Sequence, residues 1–264
     1  MYDILKKIQV HIPFHKLYEK HLPLILKEGI NPEISFNGHA LDHFREKDFL
    51  HVGESLMRAG LRVTLHAPFM DLRPGAVDPR IRRVTVERLR QVFGLVSIFR
   101  PRLVVCHPSF DERYYVSSER LWLENSIETW REFVVLAEET GTFISFENVY
   151  EGNPRHLRSL IDALDSAHVC FCFDTGHFNV FSKCAVEEWI DHMGGRTGQL
   201  HLHDNDGRTD QHLPVGEGNF PFRRLFDMIG ERGIDPVITV EPHSEKNLWK
   251  TVENIEKMGL FASQ

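Results

Sequence analysis

The 264-residue chain has 42% hydrophobic and 26% charged residues, a composition that allows a full apolar core and excludes an intrinsically disordered chain. Its formal net charge of −7 argues against a surface built mainly to bind nucleic acid, because that binding depends on Lys and Arg that neutralise phosphates. No stretch approaches the roughly 18 apolar residues of a membrane span, and the first residues lack the apolar run of a secretory signal. We therefore expect a cytoplasmic protein without a membrane partner.

Short apolar and β-branched runs recur along the chain, and each is followed by a segment with helical periodicity. The predicted strands, in chain order, are 8–12, 33–36, 62–66, 103–107, 143–147, 169–174, 199–203 and 237–241. Several of them, such as Leu103-Val104-Val105-Cys106, are apolar at consecutive positions, as expected of strands that are buried on both faces. The alternation is typical of parallel βαβ units.

The segments between the strands carry helix signals. Apolar residues fall at i, i+3, i+4 and i+7 in two of them, Val92, Leu95, Val96 and Phe99 in one and Phe222, Leu225, Phe226 and Ile229 in the other. Asp78-Pro79 and Asn153-Pro154 each place a capping side chain before a proline suited to a first helical turn.

Eight strands that alternate with helices predict an α/β fold, a single (β/α)₈ TIM barrel that spans residues 1–264 as one domain. A doubly wound open sheet is the alternative arrangement of the same elements. It is disfavoured because no Gly-x-Gly-x-x-Gly follows the first strand to mark a dinucleotide-binding crevice.

Potential metal ligands stand at the ends of six consecutive predicted strands: His66, His107, Glu147, Asp174, His201 and Glu241. In a parallel barrel the carboxyl ends of the strands meet at one rim, where active sites form. So many buried carboxylates and imidazoles would be destabilising together unless divalent cations neutralised and coordinated them. A mixture of imidazole and carboxylate without thiolate favours Zn²⁺, with Mn²⁺ or Fe²⁺ as alternatives. Glu147, in the middle of the series, is best placed to bridge two ions.

These residues resemble the xylose isomerase-like barrel superfamily, which unites endonuclease IV-like enzymes with sugar isomerases and epimerases. The likeness spans nearly the whole chain and is carried by seven segments, His66-Ala67-Pro68, His107-Pro108, Glu147-Asn148, Phe173-Asp174-Thr175-Gly176-His177, His201-Leu202-His203-Asp204-Asn205, Gly216-Glu217-Gly218 and Glu241-Pro242.

The resemblance implies two possible metal shells. The single-ion shell of the epimerases would consist here of Glu147, Asp174, His201 and Glu241. The endonuclease IV-like shell implies two or three zinc ions. The first would be held by His66, His107 and Glu147, the second by Glu147, Asp174, His201 and Glu241, and the third by His177, Asp210 and His212. The last motif, Asp210-Gln211-His212, divides the two branches most sharply, although by itself it reads as a solvated polar loop.

A multinuclear shell favours hydrolysis of a phosphoester or phosphodiester in a small sugar-phosphate or nucleotide-like substrate, because clustered ions activate water and stabilise the leaving oxygen. The alternative is a sugar or sugar-phosphate isomerase or epimerase, in which Glu147 and Glu241 are the catalytic acid and base at a single ion. A non-catalytic binding barrel is the third class.

An abasic-site DNA repair nuclease is a further alternative, and DNA is the less favoured partner. The loop after the second strand, Asn37-Gly38-His39-Ala40-Leu41, has no arginine to enter a DNA stack. Phe69 could wedge between bases, and an aromatic residue there fits a small-molecule pocket equally well.

Some polar and aromatic residues near the strand ends are candidates for contact with substrate: His11, Phe69, Asn148, His203 and Arg208. Strand-end polar groups also serve as hydrogen-bonding partners of the ligands themselves, so each has a structural alternative. Gly216-Glu217-Gly218 could present backbone amides to a phosphate, and a plain turn explains the same glycines.

Overall fold

The computed structural model describes residues 2–261, and within them eight parallel strands close a barrel in chain order. The strands are β1 (Ile8–Pro13), β2 (Asn31–Ser35), β3 (Thr64–His66), β4 (Leu103–Cys106), β5 (Phe143–Glu147), β6 (Val169–Asp174), β7 (Thr197–Leu202) and β8 (Val237–Val240). β1 pairs with both β2 and β8, which closes the sheet. The predicted (β/α)₈ TIM barrel is therefore confirmed.

Pairing with neighbours moves several strand ends away from the predicted positions. β2 begins at Asn31, before the predicted 33–36, because Asn31 and Pro32 pair with Gln9 and Val10 of β1. Proline is a poor strand former by itself, and here the neighbouring strand overrides that preference. β5 and β6 have the predicted bounds, whereas β4, β7 and β8 each end one residue before the predicted His107, His203 or Glu241.

Helical segments surround the barrel. In residues 2–261 they are α1 (Tyr2–Lys7), α2 (Phe14–Lys16), a π-helical turn (Leu17–His21), α3 (Leu22–Glu28), α4 (Gly38–His43), α5 (Glu46–Arg58), α6 (Pro79–Phe93), α7 (Val96–Phe99), α8 (Glu119–Thr140), α9 (Arg155–Leu164), α10 (Thr175–Phe181), α11 (Val186–Met193), a 3₁₀ turn (Gly194–Arg196), α12 (Phe222–Glu231) and α13 (Glu245–Met258). Of these, none combines the length and the apolar character that crossing a membrane requires.

The predicted helix signals are largely accurate. Asp78 caps α6, since its side chain accepts a hydrogen bond from the amide of Arg80. α9 begins one residue after the predicted Pro154, and Asn153 accepts from the amide of Arg155. The apolar run from Val92 to Phe99 is buried as predicted but is divided between α6 and α7, so it is not one continuous helix.

The main core lies between the barrel wall and the helices. Outward-facing aromatic side chains of the strands pack on helical tryptophans: Phe146 of β5 contacts Trp130 of α8, and Phe171 of β6 stacks on Trp189 of α11. The barrel interior is different, because buried polar side chains occupy it: Gln9, Glu33, Thr64, Gln199 and Thr239. Barrel interiors are usually filled by branched apolar residues, so this polar layer marks the part of the molecule that carries the site.

Candidate metal centre

The nine predicted ligands meet at the carboxyl end of the barrel. They are His66, His107, Glu147, Asp174, His177, His201, Asp210, His212 and Glu241, and each lies within 4 Å of at least one other through its ligand atoms. Strand ends supply six of them, α10 supplies His177, and the loop after β7 supplies Asp210 and His212. The fold thus assembles on one rim side chains that are up to 175 residues apart in sequence.

His201 lies at the centre of the first group. Its Nδ1 atom is 3.0 Å from Glu241 Oε1, 3.5 Å from Glu147 Oε2 and 3.8 Å from Asp174 Oδ2. The side chain is fully buried, and this nitrogen has no hydrogen-bond partner among the described residues. Three carboxylates therefore surround a buried nitrogen that has no hydrogen-bond partner, a set of donors that suits a metal ion.

A second group forms around Glu147. Its Oε2 atom is 3.2 Å from His66 Nε2 and 3.0 Å from His107 Nε2. The other ring nitrogen of His66, Nδ1, lies 2.9 Å from the carbonyl oxygen of Ala67, to which it donates a hydrogen bond in the neutral tautomer. That tautomer leaves the lone pair of Nε2 free to bind a cation beside Glu147.

The third group enters from the loop after β7. Asp210 Oδ2 is 3.1 Å from His212 Nε2 and 3.5 Å from His177 Nε2. His203 connects this group to the first, because its Nε2 lies 3.0 Å from both oxygens of Asp174 while its ring stacks on His212 at 3.8 Å. His212 has a φ of 49°, a left-handed conformation that is unfavourable for a non-glycine residue. The loop thus keeps an unfavourable backbone conformation at the residue whose imidazole contacts the other predicted ligands.

Asp204 holds this loop in place. Its carboxylate accepts hydrogen bonds from the backbone amides of Gly216, Gly218 and Phe220, and its own backbone pairs with Leu213. Gly216 has a φ of 81°, which glycine adopts readily. The amides of Gly216 and Gly218 are therefore engaged by an internal carboxylate and that of Glu217 by the carbonyl of Pro214, so the segment is a turn, not a cradle for phosphate.

The charges in the cluster are strongly coupled. Burial alone would raise the pKa of Glu147, but His107 and His201 hold it well below its ordinary value. Burial likewise acts against ionisation of Glu241, whose pKa His201 and His11 lower. The histidines respond oppositely: burial lowers the pKa of His212, and Asp210 and Glu241 raise it to about 9. Protons on the histidines thus balance the carboxylates, and divalent cations would replace those protons.

The predicted substrate-binding residues differ in position. His11 is 5.6 Å from the His66 ring, and Phe69, 42% exposed, stacks on His107 at 4.4 Å. The side chain of Asn148 is occupied, since it bonds both the amide and the carbonyl of Asp174 and ties β5 to β6. Arg208 lies outside the cluster: its side chain is 84% exposed and pairs with Asp206. The assignments of all these residues to substrate stay predictions.

Sequence reasoning missed several charged and aromatic groups at the site. Glu33 is fully buried inside the barrel, 3.1 Å from His201 Nε2. His243 stacks on His212 at 4.2 Å. Burial raises the pKa of Glu151 to about 7, and its Oε2 accepts a hydrogen bond from the amide of Val149. The available signals were weak: Glu33 is a charged residue inside a predicted strand, and His243 follows Glu241 by two residues.

A cavity of about 470 Å³ lies beside β1 and the residues that follow β8, and none of the nine predicted ligands is among its lining residues. Its lining includes His11, Pro242 and His243 as well as the charged residues Lys16 and Lys20. Its size lies within the range of small-molecule sites.

Comparisons with known proteins agree on the family. The family model for the xylose isomerase-like TIM barrel matches residues 31–258. The protein MJ1311 of Methanocaldococcus jannaschii is 30% identical over 218 residues, which cover 80% of this chain and 74% of that protein. Fructoselysine 3-epimerase of Escherichia coli O157:H7 is 39% identical over 56 residues, 21% of this chain and 20% of that enzyme.

Among solved structures, a D-tagatose 3-epimerase-like protein superposes with a TM-score of 0.81 at 27% identity, covering 95% of this chain and 96% of that one. Other sugar epimerases, at 15–17% identity, share the fold. These relatives support the sugar isomerase or epimerase alternative better than the phosphoester hydrolase that we expected first. The barrel, the buried His, Asp and Glu clusters of a divalent-metal site and the matching family model agree: the chain belongs to the xylose isomerase-like TIM barrel family.

Proposed function

We propose that this protein is a metal-dependent sugar isomerase or epimerase that moves a proton at a carbon next to a sugar carbonyl. The observation that carries the proposal is the arrangement of Glu147 and Glu241 about His201 Nδ1, with Asp174 as the third carboxylate. β5 and β8, which carry the two glutamates, lie three strands apart around the barrel. A substrate held over His201 would therefore have a carboxylate on more than one side.

The residues fit a divalent cation. Three histidines of the cluster, His201, His203 and His212, each have an Nδ1 atom that finds no hydrogen-bond partner among the described residues. Three carboxylates with one imidazole suit Zn²⁺, Mn²⁺ or Fe²⁺, whereas Mg²⁺ and Ca²⁺ prefer shells made entirely of oxygen. When bound, such an ion polarises carbonyl and hydroxyl oxygens of the substrate.

Glu147 and Glu241 are the proposed proton carriers. Their pKa values are held low by the neighbouring histidines, so that a carboxylate is available as a base at neutral pH. One glutamate removes the proton from the carbon beside the carbonyl, and the other, when protonated, delivers a proton to the opposite face. Delivery to the other face inverts the carbon, and delivery to the neighbouring carbon isomerises the sugar.

A small sugar or sugar phosphate is the proposed substrate. The cavity beside His11 and His243 is of suitable volume, and the exposed face of Phe69 offers an apolar surface for a sugar ring. Two of the relatives named above are described as a fructoselysine 3-epimerase and as a D-tagatose 3-epimerase-like protein. We therefore place ketoses first in a substrate panel.

The test uses protein loaded in turn with Zn²⁺, Mn²⁺ and Co²⁺ and incubated with ketohexoses and their phosphates in D₂O. We expect NMR to show a new epimer or isomer with deuterium at the reacting carbon. Glu147→Gln and Glu241→Gln should abolish exchange, while Glu124→Gln, on an exposed part of α8, should not. Absence of exchange with every sugar, in metal-loaded protein, would contradict the proposal.

Phosphoester hydrolysis is the second candidate, because a single-ion epimerase has no need of two further groups. These are His66 and His107 around Glu147, and His177 and His212 around Asp210. This candidate requires two or three ions per chain and cleavage of bis(p-nitrophenyl) phosphate that is lost in His107→Ala and Asp210→Ala. If both variants still convert a sugar, the two further groups are not required for that reaction.

A further inference from the structure

Glu33 is a charged side chain in an unusual place. It belongs to β2, is fully buried inside the barrel, and pairs across the sheet with His11 on one side and Thr64 on the other. Burying a carboxylate is costly unless hydrogen bonds or opposite charges compensate it. Its partners should therefore reveal why a glutamate occupies this position.

One oxygen of Glu33 is saturated by the barrel itself. Oε2 lies within hydrogen-bond distance of three donors, Gln199 Nε2 at 2.5 Å, Thr64 Oγ1 at 3.0 Å and Thr239 Oγ1 at 3.1 Å, and the single hydroxyl hydrogen of Thr64 is shared with Gln9 Oε1. These donors come from β3, β7 and β8. Because three strands hold the same oxygen, the carboxylate plane has little freedom to rotate, and the direction of Oε1 is fixed.

The other oxygen faces His201. Oε1 lies 3.1 Å from His201 Nε2, and both side chains are fully buried. Gln199 Nε2 also lies 3.1 Å from His201 Nε2, but its two hydrogens are donated to Glu33 Oε2 and Thr239 Oγ1, and an amide nitrogen cannot accept a proton from the imidazole. Oε1 of Glu33 is thus the carboxylate oxygen that faces Nε2 at contact distance, and among the described residues it has no other hydrogen-bond partner.

We infer that Glu33 is a positioning residue that keeps the proton of His201 on Nε2 and so directs the lone pair of Nδ1 at Glu147, Asp174 and Glu241. The inference rests on the proposed metal centre but not on the proposed reaction. A carboxylate behind a metal-binding imidazole fixes the ring and its tautomer and strengthens the metal bond. The polar side chains of the barrel interior then hold Glu33, and through it His201, in the orientation that the metal centre requires.

The alternative is that Glu33 only organises the hydrogen bonds of the barrel interior. A matched pair of variants separates the two roles. Glu33→Gln keeps the volume but replaces the acceptor at His201 with a neutral amide. Thr64→Val removes one donor to Oε2 and leaves the contact between Oε1 and His201 in place. Glu33→Asp, with the charge kept, tests rescue by the conservative variant.

The affinity of each variant for Zn²⁺ is measured by competition with a chelator, and the stability of each metal-free protein by urea unfolding. We expect Zn²⁺ to bind about 10 to 100 times more weakly to Glu33→Gln, with little change in Thr64→Val and partial recovery in Glu33→Asp. Unchanged affinity in Glu33→Gln overturns the inference. So does an equal loss in Thr64→Val at equal loss of stability.

A second measurement does not depend on a variant that folds. In the zinc-loaded wild-type protein, ¹⁵N NMR of histidine should show His201 with a slowly exchanging proton on Nε2 and a metal-shifted Nδ1. A proton on Nδ1, or anomalous scattering that places an ion on Glu33 itself, overturns the inference. Wild-type protein that binds no Zn²⁺ overturns both this inference and the metal centre. Tight binding that Glu33→Gln weakens, without turnover of any sugar, overturns only the proposed reaction.

Discussion

The two faces of the barrel wall have opposite chemistry. Outward side chains such as Phe146 and Phe171 pack on tryptophans of the surrounding helices, and burial of apolar surface holds this layer together. Inward side chains such as Glu33, Glu147 and His201 are equally buried but charged or polar. The inner layer also keeps a ring nitrogen, Nδ1 of His201, without a hydrogen-bond partner among the described residues.

This difference separates the source of stability from the source of function. The outer layer is complete by itself, because apolar groups need only contact each other. The inner layer is balanced by protons on histidines such as His66, whose pKa burial would lower but Glu147 raises. A cation would complete it. Substitutions on the outward face should therefore change the free energy of unfolding, and substitutions on the inward face should change metal binding and turnover.

The largest effect on function is expected from Glu147→Gln. Loss of a proton-transferring carboxylate should lower the rate of turnover by about 10²- to 10⁴-fold, while the chain still folds. The rate is measured on whichever sugar the metal-loaded wild type converts, and folding by circular dichroism. The control is the same substitution at an exposed glutamate of α8, Glu124→Gln, which should retain the wild-type rate. Equal activity of the two variants would show that Glu147 does not transfer a proton in the reaction.

The largest effect on stability is expected on the outward face, from Trp189→Ala. Trp189 is fully buried against Phe171 and Phe173, so truncation should leave a cavity and lower the free energy of unfolding by about 3–5 kcal/mol. Urea unfolding of the metal-free protein measures this loss. The affinity of the folded fraction for Zn²⁺ should stay close to that of the wild type. A large loss of affinity would show that the two faces are not independent.

The same division explains how much the sequence predicts. Alternating runs of apolar residues predict the barrel, because local periodicity reports which segments are strands and helices. Candidate ligands such as His66 and Glu241 can also be identified from the sequence, since a polar residue at the end of an apolar strand is conspicuous. Glu33 was missed because its role depends on the register that brings β2 beside β3 and near β7. Arg208 stays a predicted substrate contact, and its pairing with Asp206 depends on the conformation of the loop, which the sequence does not report.

An intermediate effect is expected from pH on the affinity of the candidate metal centre for Zn²⁺. His212 has a pKa raised to about 9, so below that pH it must release a proton before it binds a cation. Affinity for Zn²⁺ should therefore rise with pH, by up to about tenfold per unit for each proton displaced, and level off near pH 9. Binding should release protons that a weakly buffered solution detects. His212→Asn should reduce the slope, and His51→Asn, on the exposed face of α5, should not.

The smallest effect is expected from Asp78→Ala, outside both layers. Asp78 accepts a hydrogen bond from the amide of Arg80 and caps α6, and loss of such a cap lowers the free energy of unfolding by about 1 kcal/mol. Urea unfolding with and without Zn²⁺ measures the change, which should be the same in both states because the cap contacts no ligand. A change that depends on Zn²⁺ would mean that α6 moves when the metal centre fills. Some helical residues outside the barrel wall would then affect metal binding as well as the free energy of unfolding.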